Sequence, residues 1–333
     1  MNNPLVLVIG TTETATINGI SAAGADPSVM KHTPAADAEI VEYGTSVFAP
    51  VLPKSPTGCP TPAIVSRAVR DILGFPVRTV TAGLTHPTAV PRISLEANPG
   101  KDIREEVAVP ATQTIYSNAK TVGSLLSADS IYLGESIPGG TTTAMGVLTA
   151  LGEPNAVSSS LPNNPQNLKQ TVIAEGLQAS EIRPGGLYGR PLDAITFMGD
   201  PVQAALMGIA EGALEAGISV ILSGGTQMLA IAALLRHGGI DRPLTIATTS
   251  FIQQDDSANL KNPCKDLDVE LIVTDPEFDS ANHIAFNRFC AGEAKEGVGM
   301  GGVLAMANET NIPMETVRDR IRDCYDEIFD NGS

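Results

Sequence analysis

The chain has 333 residues, 43% hydrophobic and 17% charged, with 21 Lys and Arg against 37 Asp and Glu for a formal net charge of −16. That length and apolar content provide a sizeable core and exclude general disorder. The acidic surplus, without any Lys/Arg-rich run, excludes duplex nucleic acid and an anionic membrane surface as partners.

Short apolar runs rich in Val and Ile alternate with segments of helical period, the pattern of a parallel sheet covered by helices. In chain order, a strand is predicted at Leu5–Ile9, a helix at Pro62–Leu73, strands at Val77–Thr81 and Ser130–Leu133, and a helix at Thr142–Leu151. A strand at Ala194–Met198 precedes a helix at Pro201–Ala216, a strand at Ile218–Leu222 and a helix at Gln227–Arg236. Strands at Leu244–Thr248 and Val269–Thr274 and a helix at Asp279–Cys290 follow. The closing helix, Pro313–Phe329, repeats Val317, Ile321, Tyr325 and Ile328 on one stripe, which predicts a buried face. Proline-rich 51–62 and Ser/Asn-rich 150–170 interrupt this order, the second as a linker, a surface loop or a lid. The fold class is α/β, a Rossmann-like open parallel sheet flanked by helices, and residues 1–333 read as a single unit. No stretch approaches the ~20 apolar residues of a membrane span. The run Leu5–Ile9 is too short for a signal peptide, and Cys59, Cys264, Cys290 and Cys324 lack a CxxC pair, so a reducing cytoplasm is expected.

Three segments are candidates for chemistry. Gly134–Thr143 follows a predicted strand and opens a predicted helix, where unpaired backbone N–H groups and the helix dipole favour a phosphate. Gly139, Gly140, Thr141 and Thr142 are its candidate ligands, with Thr141 or Thr142 as the helix cap. Its spacing mimics a Walker A loop, but Gly140 stands at the lysine position, which discounts an NTPase. Ser223-Gly224-Gly225-Thr226 repeats the geometry, and both loops would face one crevice at the carboxyl ends of the strands. Asp200 would cap the helix at Pro201 or reach into the same crevice.

The third segment, Lys295–Gly302, contains Gly297, Gly299 and Gly302 in a GxGxxG spacing, with Glu293 and Glu296 just upstream of the glycines. A dinucleotide fingerprint needs a preceding strand, and Ile284–Cys290 reads as a helix, so a dehydrogenase ranks last. What remains is Glu296 on a backbone that passes close to a ligand, where desolvation would raise its pKa toward base catalysis. His32, His86, His237 and His283 stand alone, giving a metal site little support. Asp275, Glu277 and Asp279 read as a solvated loop with Asp279 capping a helix.

Taken together, Gly134–Ala144, Gly199–Gly208, Val220–Ala233 and Lys295–Met306 resemble the nicotinate-nucleotide:dimethylbenzimidazole phosphoribosyltransferase family. Gly134-Glu135, Gly139 and Thr141-Thr142 match its GEMGIGNTT-like loop, Gly224-Gly225 its LGG-x-E/Q loop, and Glu296-Gly297-Val298-Gly299 its GEGxGA-like segment. Gly10-Thr11-Thr12-Glu13-Thr14 and Ile20-Ser21-Ala22-Ala23-Gly24 resemble the archaeal-type branch. The resemblance implies a smaller second lobe, built from the N-terminal segment and the C-terminal helix, and a homodimer. It implies Glu296 as catalytic base and Glu135 as a supporting carboxylate. Nicotinate mononucleotide and an aromatic base would be the substrates, without a cofactor. The product would be an α-ribazole-phosphate-type nucleotide for a cobamide lower ligand. Ser136-Ile137-Pro138 departs from the family loop, which keeps a non-catalytic nucleotide-binding protein of the same fold as the alternative.

Overall fold

The computed structural model describes residues 3–23, 27–50 and 52–330, so Gly24 of the N-terminal motif and Val51 of the proline-rich segment lie outside the described residues. The strands are β1 Leu5–Ile9, β2 Val77–Thr81, β3 Arg92–Ser94, β4 Ser130–Ser136, β5 Ser219–Ser223, β6 Thr245–Thr249 and β7 Glu270–Thr274. The helices begin with α1 Pro27–Met30, α2 Thr33–Tyr43, α3 Ala63–Leu73, α4 Thr112–Ser124, α5 Gly140–Leu151, α6 Gln166–Ala179 and α7 Pro191–Met198. They continue with α8 Pro201–Glu215, α9 Thr226–His237, α10 Ser250–Gln253, α11 Lys261–Asp266, α12 Ile284–Cys290, α13 Met300–Glu309 and α14 Met314–Tyr325.

All seven strands are parallel, in the order β3-β2-β1-β4-β5-β6-β7, with Leu5 of β1 in register with Val77 on one side and Tyr132 on the other. Side chains alternate across a strand, so Val6 and Val8 enter one core while Leu5, Leu7 and Ile9 enter the other. Every residue of β1 is buried, as a strand covered on both faces requires. Helices α4 to α9 cover the first face; α2, α3, α12, α13 and α14 cover the second. α8 is buried from Pro201 to Leu214, and α4 lies across it, in contact where the small residues Gly208 and Gly212 let the backbones approach. Of the two segments assigned to a smaller lobe, the first contributes β1 at the centre of the sheet and the second, α14, lies on α3, with Val317, Ile321 and Tyr325, and Ile328 just beyond it, buried.

One predicted strand is a helix. Residues 194–198 belong to α7, which starts at Pro191 in its first turn and carries Asp193 at its positive end. A five-residue apolar run fits either state, and the proline three residues earlier decides for helix. Predicted helix Asp279–Cys290 also begins later, at Ile284, after a 3₁₀ turn at Phe278–Ser280, and His283 Nδ1 rather than Asp279 accepts the capping bond, from the Ala285 amide at 3.2 Å. The histidines do not all stand alone: the rings of His32 and His86 stack with centroids 3.9 Å apart. No helix among the described residues is long and apolar enough to cross a membrane. The four cysteines are free, three of them buried and Cys290 exposed.

Candidate active site

Strand order reverses between β1 and β4, where the connections run to opposite faces and leave a crevice beyond the strand ends. A cleft of about 930 Å³, including its open mouth, lies there.

β4 runs to Ser136, three residues beyond its predicted end, so Glu135 and Ser136 are strand residues whose side chains diverge. Ser136 Oγ donates to Asp37 Oδ2 of α2 at 2.6 Å, and Thr61 Oγ1 donates to Asp37 Oδ1 at 2.6 Å. Glu135 turns toward α9: its Oε1 accepts from Gln227 Nε2 at 2.9 Å and its Oε2 from the Ile137 amide at 3.1 Å. Burial, reinforced by the charges of Asp200 and Asp37, pushes the Glu135 carboxyl up to about 8. Burial likewise moves Asp37 up to about 6 against the bonds from Ser136 and Thr61.

Between α12 and α13 the backbone is left-handed at Gly292, Ala294, Gly297, Val298 and Gly299. Val298, at φ 55°, is a β-branched residue where such residues rarely sit, a strain on the order of 1–3 kcal/mol. Two bonds hold it: its amide donates to the Glu135 carbonyl at 2.7 Å, and its carbonyl accepts from Ser66 Oγ at 2.7 Å. This turn presents Glu296 to the cleft. Glu296 Oε2 accepts from the amides of Gly297 at 3.0 Å and Gly301 at 3.3 Å, while Oε1 is out of solvent contact with no hydrogen-bond partner. Although the residue as a whole is only partly covered, burial of its carboxyl, with the Glu135 charge nearby, holds its pKa well above the ordinary carboxylate range. At Gly301 a Cβ would lie 2.3 Å from Oε1, so the glycine keeps that oxygen's space open.

Ser158, Ser159 and Ser160 form a further part of the wall, and two lysines fix it. Lys295 Nζ donates to the carbonyls of Ser159 at 3.0 Å and Leu161 at 3.2 Å and pairs with Asp255 at 3.1 Å. Lys169, fully buried, donates to the Ser158 carbonyl at 2.7 Å; burial, with Lys295 adding like charge, lowers its pKa to about 7. The Ser158 amide donates to Thr226 Oγ1 at 3.1 Å, joining this wall to α9.

The chain is 52% identical over 323 residues to a UPF0284 protein of Halobacterium salinarum, covering 97% of each. It is 42% identical over 319 residues to the UPF0284 protein of Methanosarcina mazei, covering 94% of this chain and 91% of that one. The chain belongs to the UPF0284 family. No family model matches it. Among solved structures, it superposes on the nicotinate-nucleotide-dimethylbenzimidazole phosphoribosyltransferase of Thermus thermophilus with a TM-score of 0.62 at 15% identity, covering 98% of this chain and 83% of that one. A second structure, CobT of the same organism, gives 0.63 at 15% identity with 98% and 84% covered. The motif resemblance therefore extends to the fold.

In this UPF0284 chain, Glu135, Gly139, Gly140, Thr141, Gly225, Thr226, Glu296 and Gly297 line the cleft. Five other candidates do not. Asp200 follows α7 rather than a strand and, as the N-cap of α8, closes a capping box with Gln203, while its Oδ2 accepts from Thr143. Thr142 is buried within α5, whose N-cap is Gly139 in the left-handed region with no side-chain bond, so neither threonine caps that helix. Ser223 Oγ donates back to the Ile221 carbonyl at 3.2 Å; Gly224 abuts Met228, and Gly299 abuts Leu5 and Gly134. Glu293 anchors the Ser55–Thr57 turn, accepting from both hydroxyls. Asp37, Gln227, Ser158, Ser159 and Lys295 also line the cleft and were not among the predicted residues. Gln227 occupies the last position of the GG-x-E/Q pattern and was readable there; Asp37 carries no comparable signal.

Proposed function

We propose that the chain is a phosphoribosyltransferase that takes nicotinate mononucleotide as donor and joins its phosphoribosyl group to a nitrogen base. The product is an α-ribazole-phosphate-type nucleotide for a cobamide lower ligand. The observation that carries this reading is Glu296 Oε1, a buried, unpartnered carboxylate oxygen in the crevice at the strand-order reversal. A buried polar atom without a partner in such a cleft is suited to a proton that arrives with the substrate.

Glu296 takes the N–H proton of the base while a ring nitrogen's lone pair forms the bond to the ribose anomeric carbon. The bond from that carbon to nicotinate breaks, its electron pair returns to the pyridinium ring, and the configuration inverts. Because pyridinium departs as a neutral ring, no acid is needed at the leaving group. Glu135 lines the same cleft and, when ionised, offsets the positive charge that develops on the sugar. The amino end of α5 at Gly139–Thr141 and that of α9 at Gly225–Thr226 supply N–H groups for the phosphate.

Purified protein with nicotinate mononucleotide and 5,6-dimethylbenzimidazole or adenine, followed by chromatography, should release nicotinate together with a new nucleotide. Glu296→Gln should lower turnover by about 10²–10⁴-fold while retaining nucleotide affinity; equal loss of both would count against the assigned role. Only ionised Glu296 accepts a proton, so wild-type turnover should rise with pH through its elevated pKa. Nucleotide binding without release for any base would instead identify a non-catalytic binding protein.

A further inference from the structure

Among the described residues, the reaction above leaves one buried carboxylate of the cleft without a task. Asp37 is 2% exposed and lines the wall next to Thr61. That wall is continuous with the strained turn, since a Cβ at Gly297 would lie 3.7 Å from Pro62 Cγ. The residue after Glu296 and the residue after Asp37's hydrogen-bond partner are therefore neighbours in this wall. Each Asp37 oxygen receives one hydroxyl, from Thr61 and from Ser136, and a carboxylate oxygen accepts about two bonds, so each retains an acceptor position. Among the described residues no aromatic or Met side chain lines the cleft; its apolar contribution comes from Ile137, Ile252, Val298, Cys59, alanines and prolines. A planar base bound here has no ring to stack on, and its orientation falls to hydrogen bonds. An alkylated ring edge against Asp37 would strip water from a charge and return nothing, whereas an N–H donor would return a charge-assisted bond.

We infer that Asp37, positioned by Ser136 and Thr61, selects the acceptor, and that the acceptor is a nitrogen heterocycle bearing an exocyclic amino group rather than an alkylated edge. The inference rests on the transfer reading above and deepens it.

Adenine, purine and 5,6-dimethylbenzimidazole, offered to the full chain with saturating nicotinate mononucleotide, distinguish the cases. Purine lacks only the amine of adenine. A site built around a substrate N–H discriminates against the analogue lacking it, so kcat/KM for adenine should exceed that for purine and for dimethylbenzimidazole by about 10-fold or more. Asp37→Asn should collapse the adenine-to-purine ratio while leaving the Kd for nicotinate mononucleotide unchanged, an outcome that mere structural damage would not produce. Ser136→Ala, which withdraws one bond from the same carboxylate, should shift the ratio in the same direction and serves if Asp37→Asn does not fold. A preference for dimethylbenzimidazole, or an unchanged ratio in both folded variants, overturns the inference and leaves the transfer reading standing. Calorimetric titration of adenine into nucleotide-loaded protein separates the two readings. Adenine binding that Asp37→Asn weakens, without nicotinate release for any base, keeps the subsite and removes the transfer; no adenine binding removes the inference.

Discussion

The β4–α5 and β5–α9 junctions share one sequence grammar, an apolar strand, paired glycines, a threonine and a helix, yet they face different surroundings. At β4–α5 the cleft is open, and Glu135 through Thr141 line it without a break. At β5–α9 Ser223 packs against Gly302 of α13 and Gly224 against Met228 of α9, and the cleft receives only Gly225, Thr226 and Gln227. The difference arises from position in the sheet, since β4 borders the order reversal and β5 does not. A glycine at a strand–helix turn thus serves a ligand or a neighbouring backbone according to what lies above it.

The largest expected effect comes from the open junction. Glu135 has an ordinary carboxylate pKa when unfolded and about 8 when folded. Between those values the folded chain retains a proton that the unfolded chain has lost, so stability is complete below about pH 4.5 and falls as pH rises toward 8. Integrated over that window the loss is ~5 kcal/mol at most. Asp37 and Asp200, both raised by burial to about 6, add to the decline over its lower half, and Glu296, held well above the ordinary range, adds to it as well. Urea unfolding at pH 5, 7 and 9 should show wild-type stability dropping steeply and Glu135→Gln much less so. Parallel pH slopes for the two would mean that Glu135 is solvated in a way its burial does not indicate.

At the covered junction the expected effect is mechanical. A Cβ at Gly302 would fall 1.9 Å from Ser223 Oγ and 2.4 Å from Ser223 Cβ. Gly302→Ala should destabilise by about 1–3 kcal/mol through overpacking, less the gain in helix propensity. Ser223→Gly removes both obstructing atoms, so the double variant should recover most of that loss. A double-mutant cycle with strictly additive losses would show that the contact is relieved elsewhere.

Much of this was legible because it is local. β1 and β2 carry compact Val/Ile/Leu/Thr runs and were located to the residue; β4 was extended, and α7 was mistaken for a strand, because short apolar runs carry no period. α2 left no trace in the sequence reading because nine successive residues from Thr33 to Val41 are buried, which erases the contrast between faces. The start of α13, Met300-Gly301-Gly302, resembles a loop because its glycines are required by close approach to Ala247, Thr248 and Ser223 rather than by helix propensity. The site divides in the same way. Glu296 sits in a local motif, whereas Asp37 acquires its place through Ser136, 99 positions away, a pairing that only the assembled sheet creates.

The smallest effect on stability, and the sharpest on the comparison, is expected at Gly140. A Cβ there would lie 2.1 Å from Gln227 Oε1, 2.7 Å from its Cδ and 2.8 Å from Ile137 Cγ2. The two nearest atoms belong to the end of a flexible side chain, so Gln227 can rotate where Ser223 cannot, and the Ile137 methyl has to give by only a few tenths of an ångström. Rotation costs its bond to Glu135, about 0.5–1.5 kcal/mol, and replacing glycine in a helix returns about 0.8–1 kcal/mol. Gly140→Ala should therefore melt within about 2–4 °C of wild type. Because the lost bond favoured ionised Glu135, that carboxyl should titrate higher still. Carbon-13 NMR of labelled glutamate would register the upward move. A large drop in melting temperature with Glu135 unmoved would place Gly140 in the same class as Gly302 and dissolve the distinction between the two junctions.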